Sequence, residues 1–483
     1  MKVQKNLKHE VKGALVILFV INACAIASYV PNQVIVKFKP DTPQERRDQI
    51  VSQHNCFVTN KCMNADLHLL DIPGSQTPEQ MIATLRNSDE VEYADFNYIF
   101  TMLLEPNDPL YYLQWNFHNN ANGGVNMEKA WDIEKGDPNI KIAILDSGVA
   151  YENFGTYRKA PDLDQTRFVP GYDFVNNDSH PNDDVGHGTH VAGTIAQSTN
   201  NGLGVAGIAF GCSVMPVKVI GSQGSGRVFD IVNGIYYAVA HDANVINMSL
   251  GSDSNSTALE QAVQYAWSQN ITVVCAAGNN YQDGNKPSYP AAYDQYCIAV
   301  GATRFDKTRA YYSNAGSYLD IVAPGGDLNV DQNHDENPDG ILQQTFDNNP
   351  QVFDYYYGDG TSFAAPHVSG AAALLLSKGV KKPDKVKLAI EKTANDLGPA
   401  GWDKEYGWGL LDVLAALNYK VTGDLTGDLE VGFDDLAIFS DNWLQSYSLT
   451  NPDPNTPLYK ADLNHDGIVN FIDFAIMSNN WKK

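Results

Sequence analysis

Hydrophobic and polar positions along this chain change period several times, and each change marks a boundary. In QVIVKFK (33–39) apolar positions alternate as in a half-buried strand. TPQERRDQIVSQH (42–54) reads as a helix opened by Thr42, with Pro43 in its first turn. DLHLLDI (66–72) returns to a strand, TPEQMIATLRN (77–87) to a second Thr-Pro helix and VEYADFNYIF (91–100) to a strand. Two strand–helix–strand units of this size predict a small α+β module. It ends near the polar, Pro-containing TMLLEPNDP (101–109).

From residue 106 the pattern becomes short, nearly continuous apolar runs. These are IKIAILD (140–146), CSVMPVKVI (212–220), ANVINMSLG (243–251), ITVVCAAGN (271–279) and YCIAVGA (296–302), with helical segments between several of them. Strands of this kind are buried on both faces. They predict an α/β domain over 106–418, a parallel sheet with helices on both faces. Further on, GDLTGDLEVGFDDLAIFSDNW (423–443) aligns with ADLNHDGIVNFIDFAIMSNNW (461–481). The duplication predicts a small helical repeat module over 421–483.

At the start, Lys2, Lys5, Lys8 and Lys12 precede an uncharged stretch, 13–30, with Ala-x-Ala spacings at its end. This predicts a cleaved secretory signal over 1–27 and a secreted protein. Two alternatives keep the chain at the cell surface: an uncleaved anchor barely long enough to span a bilayer, or lipidation of Cys24 in INAC.

Charge narrows the partners. The chain carries 57 Asp+Glu against 33 Lys+Arg, a net charge of −24. Such a surface repels phosphate backbones and anionic lipids, so nucleic acid is not an expected partner. Much of the Asp lies in Asp/Asn/Gly loops, which favours calcium. Six cysteines do not make a disulfide framework: Cys56 and Cys62 lie in the α+β module, leaving an odd Cys212, Cys275 and Cys297 in the α/β domain. Cys275 and Cys297 sit in apolar runs, as small buried hydrophobes do.

The candidate chemistry rests on Asp146 at the end of an apolar strand, His187 and His190 in GHGTHVAGT, and Ser362 in GDGTSFAAPHVSG (358–370). A hydroxyl is a poor nucleophile until a base takes its proton and a third group orients that base. Asp, His, Ser in this chain order is one known solution.

In sequence, LDSGV, GHGTHVAG, NMSLG, AAGN and GTSFAAPHVSG resemble the motifs of subtilisin-like serine proteases, over about residues 106–417. The resemblance implies that Ser362 attacks the peptide carbonyl, His187 carries its proton and Asp146 orients His187. Asn279 and the Ser362 backbone amide would stabilise the oxyanion. His190 is structural on this reading, and Pro366 falls in the first turn of the serine helix. Ser249, Leu250 and Gly251, with Ala276, Ala277 and Gly278, would flank the substrate, which pairs as an added strand. Small apolar walls predict a roomy pocket for a large apolar side chain. The module at 28–105 resembles the subtilase propeptide, which implies a zymogen inhibited by its own N-terminal segment and processed within Thr101–Asn107.

Closely spaced Asp and Asn supply the hard oxygens that calcium takes. In DLNHDGIVNFID these are Asp462, Asn464, Asp466, the Ile468 carbonyl, Asn470 and Asp473, with Gly467 at the turn. The first copy offers Asp424, Thr426, Asp428 and Asp435, with Leu429 in place of the glycine. The second copy is therefore expected to bind calcium more tightly. The duplicated pattern resembles a type I dockerin, which implies a cohesin-like partner. Within the α/β domain, Asp331, Asn333, Asp335 and Asp339 form a further candidate calcium loop. STNNGLGVAG resembles the calcium loop of the protease family, which implies ligands from Thr199, Asn201, Leu203 and Val205, completed by Asp108 and Asp162. The expected protein is a secreted, calcium-stabilised serine endopeptidase acting on protein or peptide substrates. The alternative is an inactive scaffold that works through its dockerin-like module.

Overall fold

The computed structural model describes residues 3–4, 29–62, 66–74, 76–99, 105–447 and 456–482. Apart from Val3–Gln4, the expected signal with its Cys24 lies outside them, as do residues 101–104 of the expected processing segment. Among the described residues no helix is long and apolar enough to cross a membrane. The chain divides into two compact units, one built mainly on residues 103–420, the other on the N-terminal module and most of 421–483.

The N-terminal module is a four-stranded antiparallel sheet with two helices. Its elements are β1 (Tyr29–Phe38), α1 (Gln44–Gln53), β2 (Phe57–Lys61), β3 (Leu67–Asp71), α2 (Pro78–Arg86) and β4 (Val91–Tyr98), in the sheet order β2-β3-β1-β4. The alternation in β1 places Val34, Val36 and Phe38 in the core with Leu70, Met81 and Leu85. Helix α2 opens as expected. The Thr77 hydroxyl accepts from the Gln80 N–H (3.4 Å), the Thr77 N–H donates to Gln80 Oε1 (3.1 Å), and Pro78 stands at the first position. Helix α1 differs. It begins at Gln44 after Pro43, and the Thr42 hydroxyl donates to the Glu90 carbonyl (3.3 Å) instead of capping.

The larger unit holds an eight-stranded sheet that is parallel throughout. Its main strands are β5 (Lys141–Asp146), β6 (Ser213–Lys218), β7 (Val245–Met248), β8 (Thr272–Ala276), β9 (Ile298–Thr303) and β10 (Ile321–Pro324), in the order β10-β9-β8-β7-β5-β6, with two short pieces beside β6. From β6 to β10 every strand position is buried, as unbroken apolar runs require. On one face lie α3 (Val228–Ala240) and α4 (Thr257–Ser268), whose Ile231, Ile235, Leu259 and Ala262 pack on Leu145, Val217 and Met248. The helices His187–Ala196, here α5, and Thr361–Ser377, α6, pack on each other, and α6 lies against β7 to β10. A hairpin, β11 (Ile341–Thr345) and β12 (Asp354–Gly358), precedes α6. Cys212, Cys275 and Cys297 are buried and free, as is Cys56, while Cys62 is exposed and free.

The C-terminal residues repeat one small unit twice around helices α7 (Phe433–Asp441) and α8 (Phe471–Ser478), with Val431, Phe439, Val469 and Met477 in the core. The copies exchange matching contacts. The Lys482 N–H donates to the Val431 carbonyl (2.9 Å), and the Leu444 N–H donates to the Val469 carbonyl (2.8 Å).

Candidate active site

Strand β5 ends at Asp146, and α5 begins at His187. They meet closely because residue 188 is glycine: a Cβ there would stand 2.1 Å from the Gly148 carbonyl oxygen. The His187 Nδ1–H donates to Asp146 Oδ1 (2.7 Å), which fixes the tautomer and leaves Nε2 as the working nitrogen. Burial works against a charged His187, but the Asp146 carboxylate and its hydrogen bond outweigh it and raise the pKa above its usual value. Buried Asp183 anchors the start of α5: it accepts from the Val185 and Gly186 N–H groups (2.9 Å each) and from the Thr189 hydroxyl (2.6 Å). His190 faces the core. Its Nε2 lies 2.9 Å from the Ile341 carbonyl, and burial, with the neighbouring His187, pushes it down to about 3, so it is neutral.

Ser362 occupies the first turn of α6, a helix with no polar face. Between Thr361 and Leu376 it is the single position not fully buried. Pro366 lies deeper than expected, in the second turn, four residues after Ser362. It has no N–H to give the Ser362 carbonyl, its normal helical partner. The Ser249 hydroxyl supplies that bond instead (2.8 Å). Ser249 Oγ accepts in turn from Asn247 Nδ2 (3.0 Å), and Asn247 Oδ1 accepts from the Ser369 hydroxyl (2.8 Å). This buried chain ties the serine helix to the end of β7. The Ser362 hydroxyl itself donates to the Ser249 carbonyl (3.2 Å), and among the described residues no hydrogen bond joins it to His187.

Asn279 follows β8. Its Oδ1 accepts from the Thr361 N–H (2.8 Å) and the Thr361 hydroxyl (2.7 Å), so its Nδ2 donors remain to meet a substrate. Gly360, at φ +147°, fits the approach: a Cβ there would lie 3.2 Å from Asn279 Nδ2. Asp146, His187, Asn279 and Ser362 line one cleft of about 600 Å³, together with Ser249, Leu250 and Gly251. A side cavity of about 220 Å³ opens from Ser362 between Leu250–Asp253 and Ala276–Asn280; Gly278 lines it, while Ala277 is buried in the core beneath. Lys218 went unnoticed in the sequence. It sits opposite Asp146 in the β5–β6 register, fully buried, and donates to the Ser147 carbonyl (2.6 Å) and to Asp184 (2.7 Å). A lysine inside the apolar run MPVKVI, like Asn247 inside VINMSL, was the available signal.

The sequence-predicted calcium residues fall into four groups. Asp108 accepts from the Asn200 and Asn201 N–H groups (2.9 and 3.1 Å), and Asp162 accepts from Asn201 Nδ2 (2.8 Å) and the Val205 N–H (3.1 Å). Leu203 donates its N–H to Asn201 Oδ1 (2.7 Å), and the Thr199 hydroxyl donates to the Gln197 carbonyl (3.0 Å). This group is gathered, but amide donors meet its carboxylates. In the second group, Asp335 donates its N–H to Asp331 (3.2 Å) and accepts from Asn333 Nδ2 (3.0 Å). Asp339 is almost fully buried, and its Oδ1 has no partner. Burial, aided by the charges of Asp331 and Asp335, pushes Asp339 up to about 6 against the Gln332 N–H bond. That bare buried oxygen, with the charges of Asp331 and Asp335 near it, is one a hard cation would satisfy, although these three carboxylates are not drawn together as those of Asp424, Asp428 and Asp435 are.

In the C-terminal repeats Asp435 and Asp473 play matching parts, each accepting N–H groups from residues nine and ten positions earlier at 2.7–3.1 Å. Carboxylate oxygens of Asp424, Asp428 and Asp435 lie within 4.8 Å of one another. In the second copy Asp462 accepts from the Asp466 and Gly467 N–H groups (3.2 and 2.7 Å), Asn464 donates to Asp466 (2.9 Å), and Asn470 donates to the Ile468 carbonyl (3.2 Å). Leu429 takes the left-handed turn that Gly467 takes in its copy, φ +64° against +92°.

A parallel α/β sheet that gathers an aspartate, a histidine and a serine at one cleft defines the class: a peptidase of the serine type. Comparison with known proteins agrees. Residues 137–409 match the subtilase family, and residues 20–97 match the fervidolysin N-terminal prodomain. A thermophilic serine proteinase from Bacillus sp. (strain AK1) is 37% identical over 383 residues, covering 79% of this chain and 86% of that protein. Thermitase from Thermoactinomyces vulgaris is 38% identical over 282 residues, covering 58% and 90%. The crystal structure of fervidolysin from Fervidobacterium pennivorans, described as a keratinolytic enzyme related to subtilisin, superposes with a TM-score of 0.53 at 25% identity, covering 81% of this chain and 61% of that one. The chain belongs to the subtilase family and is a serine endopeptidase with an N-terminal prodomain.

Proposed function

We propose that Ser362, His187 and Asp146 form the catalytic triad of a secreted, calcium-stabilised endopeptidase made as a zymogen. The observation that carries this reading is the 2.7 Å bond from His187 to Asp146 in the cleft that Ser362 also lines. Ser362 Oγ turns from the Ser249 carbonyl toward His187 when substrate enters; catalytic hydrogen bonds often tighten only in the complex. Oγ then bonds to the peptide carbonyl carbon while its proton passes to His187 Nε2. The C–N bond breaks as that proton reaches the leaving amine, and the acyl group remains on Ser362. Water repeats the cycle and frees the acid. Asn279 Nδ2 and the Ser362 N–H hold the oxyanion. Asp146 stabilises the imidazolium without taking its proton.

Residues 1–27 direct secretion, 28–105 inhibit the 106–418 peptidase until cleaved within Thr101–Asn107, and 421–483 form a dockerin-like module for a cohesin-like partner. Support for the module comes from its two matched halves, each exposing a phenylalanine at the helix start, Phe433 against Trp481 and Phe471 against Trp443. Calcium is held by the Asp331–Asp339 loop, by Asp108 and Asp162 with the 199–205 loop, and by the repeats; there it neutralises clustered carboxylates and locks loops.

The test is self-processing. Residues 28–483 are expressed with calcium as wild type and as Ser362→Ala, and masses and new N-termini are determined. Cleavage near Thr101–Asn107 in the wild type alone is expected. Two intact chains without casein hydrolysis would favour an inactive scaffold acting through the C-terminal module.

A further inference from the structure

The side cavity beside Ser362 is not the purely apolar slot that its Leu250 and Ala276 walls suggest. Of the described residues that line it, Asp253 and Lys286 alone carry charge, and they pair with each other across it. Lys286 Nζ lies 2.8 Å from Asp253 Oδ2. Both side chains stay accessible, 66% and 47% exposed, so either charge can be reached from solvent or by a ligand in the cavity.

The two walls that carry them are firmly joined. Ser252 and Tyr289 exchange backbone hydrogen bonds at 3.0 and 2.8 Å, one residue from Asp253 and three from Lys286. Buried Asn314 donates to the Lys286 carbonyl (3.0 Å) and accepts from the Asn280 N–H (2.8 Å), fixing the Lys286 backbone to the wall that also bears Asn279. Space is kept open between the walls by glycine. A Cβ at Gly251 would stand 2.3 Å from Ser288 Oγ, and one at Gly278 would stand 2.5 Å from Asn314 Nδ2.

We propose that the Asp253–Lys286 pair is a charge lock that sets which side chain the enzyme accepts just before the scissile bond. This rests on the reading of Ser362 as nucleophile. While paired, the two charges cancel, and the cavity takes a neutral side chain whose stem lies along Leu250 and Ala276. With Lys286 removed, Asp253 is left to pair with a substrate lysine or arginine. With Asp253 removed, Lys286 is left to pair with a substrate glutamate. Each half of the lock therefore excludes the substrate class that the other half would attract.

The test uses the full chain, matured with calcium, as wild type, Lys286→Met, Asp253→Asn and the double variant. Peptide p-nitroanilides with Phe, Lys or Glu before the scissile bond are compared through kcat/KM ratios. Lys286→Met should raise the Lys/Phe ratio roughly 1.5- to 5-fold, and Asp253→Asn should raise the Glu/Phe ratio by a similar factor, the scale of one solvent-exposed ion pair. Both gains should vanish in the double variant and shrink in 1 M salt, about where screening becomes short-ranged. Ratios unchanged in both single variants of an active enzyme would overturn the lock. No hydrolysis of any of the three peptides by the wild type would overturn the nucleophile reading, and the lock with it.

Discussion

Ser249→Ala removes the hydroxyl that satisfies the Ser362 carbonyl, the bond that Pro366 cannot provide. It also strips Asn247 Nδ2 of its 3.0 Å acceptor. A buried polar group left unpaired costs about 1–3 kcal/mol. If that loss falls on the transition state, kcat drops roughly 5- to 150-fold. KM should change little, because the hydroxyl is spent inside the protein. Thermal melts in a Ser362→Ala background, which prevents self-digestion, should fall by roughly 2–10 °C. The structural cause can be isolated with Pro366→Ala. An alanine there brings an N–H to the Ser362 carbonyl, so Ser249→Ala should cost less in that background, with a coupling of at least about 0.5 kcal/mol. Equal losses in both backgrounds would refute the reasoning, as would a Ser249→Ala enzyme with unchanged kcat.

Three further outcomes follow from the charges. Because Asp146 raises the His187 pKa, kcat/KM should climb as pH rises through that value and His187 loses its proton; Asp146→Asn should shift this limb to lower pH and cut kcat about 10⁴-fold, and an unmoved limb would contradict the pairing. The same shift means that the folded state holds the proton more tightly than the unfolded state, so this stabilisation is full below the ordinary value of 6.5 and is lost as pH rises through the raised one. Chelating calcium should lower the melting temperature by several degrees, and Asp339→Asn should shrink that response by this loop's share while melting no lower than wild type in chelator, since the loop no longer holds a bare buried carboxylate oxygen; a full calcium response in the variant would take the ion away from this loop.

The residues of the cleft were legible because each lies in a short motif whose neighbours serve the same geometry. Gly188 lets the helix of His187 reach Asp146, and Gly360 sets the turn before Ser362. The sheet was legible in β5 to β9 because burial on both faces leaves unbroken apolar runs. Strand β2, FVTNK, was missed since it lies at a sheet edge with most side chains in solvent, where pairing rather than patterning makes the strand. The hairpin strands ILQQT and DYYYG were missed for another reason. Their polar groups are buried by partners far along the chain, as with Gln343 Nε2 donating to the Ala206 carbonyl (3.0 Å). The Asp253–Lys286 pair joins loops 33 residues apart, and no local pattern announces it. Pro366 misled for a local reason: Gly360 starts the helix early enough to place the proline in its second turn, where Ser249 compensates.

The central claim is that His187 activates Ser362, and covalent labelling tests it most directly. The matured chain is treated with a fluorophosphonate and its peptides are weighed. The account predicts one adduct, on Ser362, absent in Ser362→Ala and formed far more slowly in His187→Ala. No adduct on the wild type, or labelling of Ser362 at the same rate without His187, would contradict it.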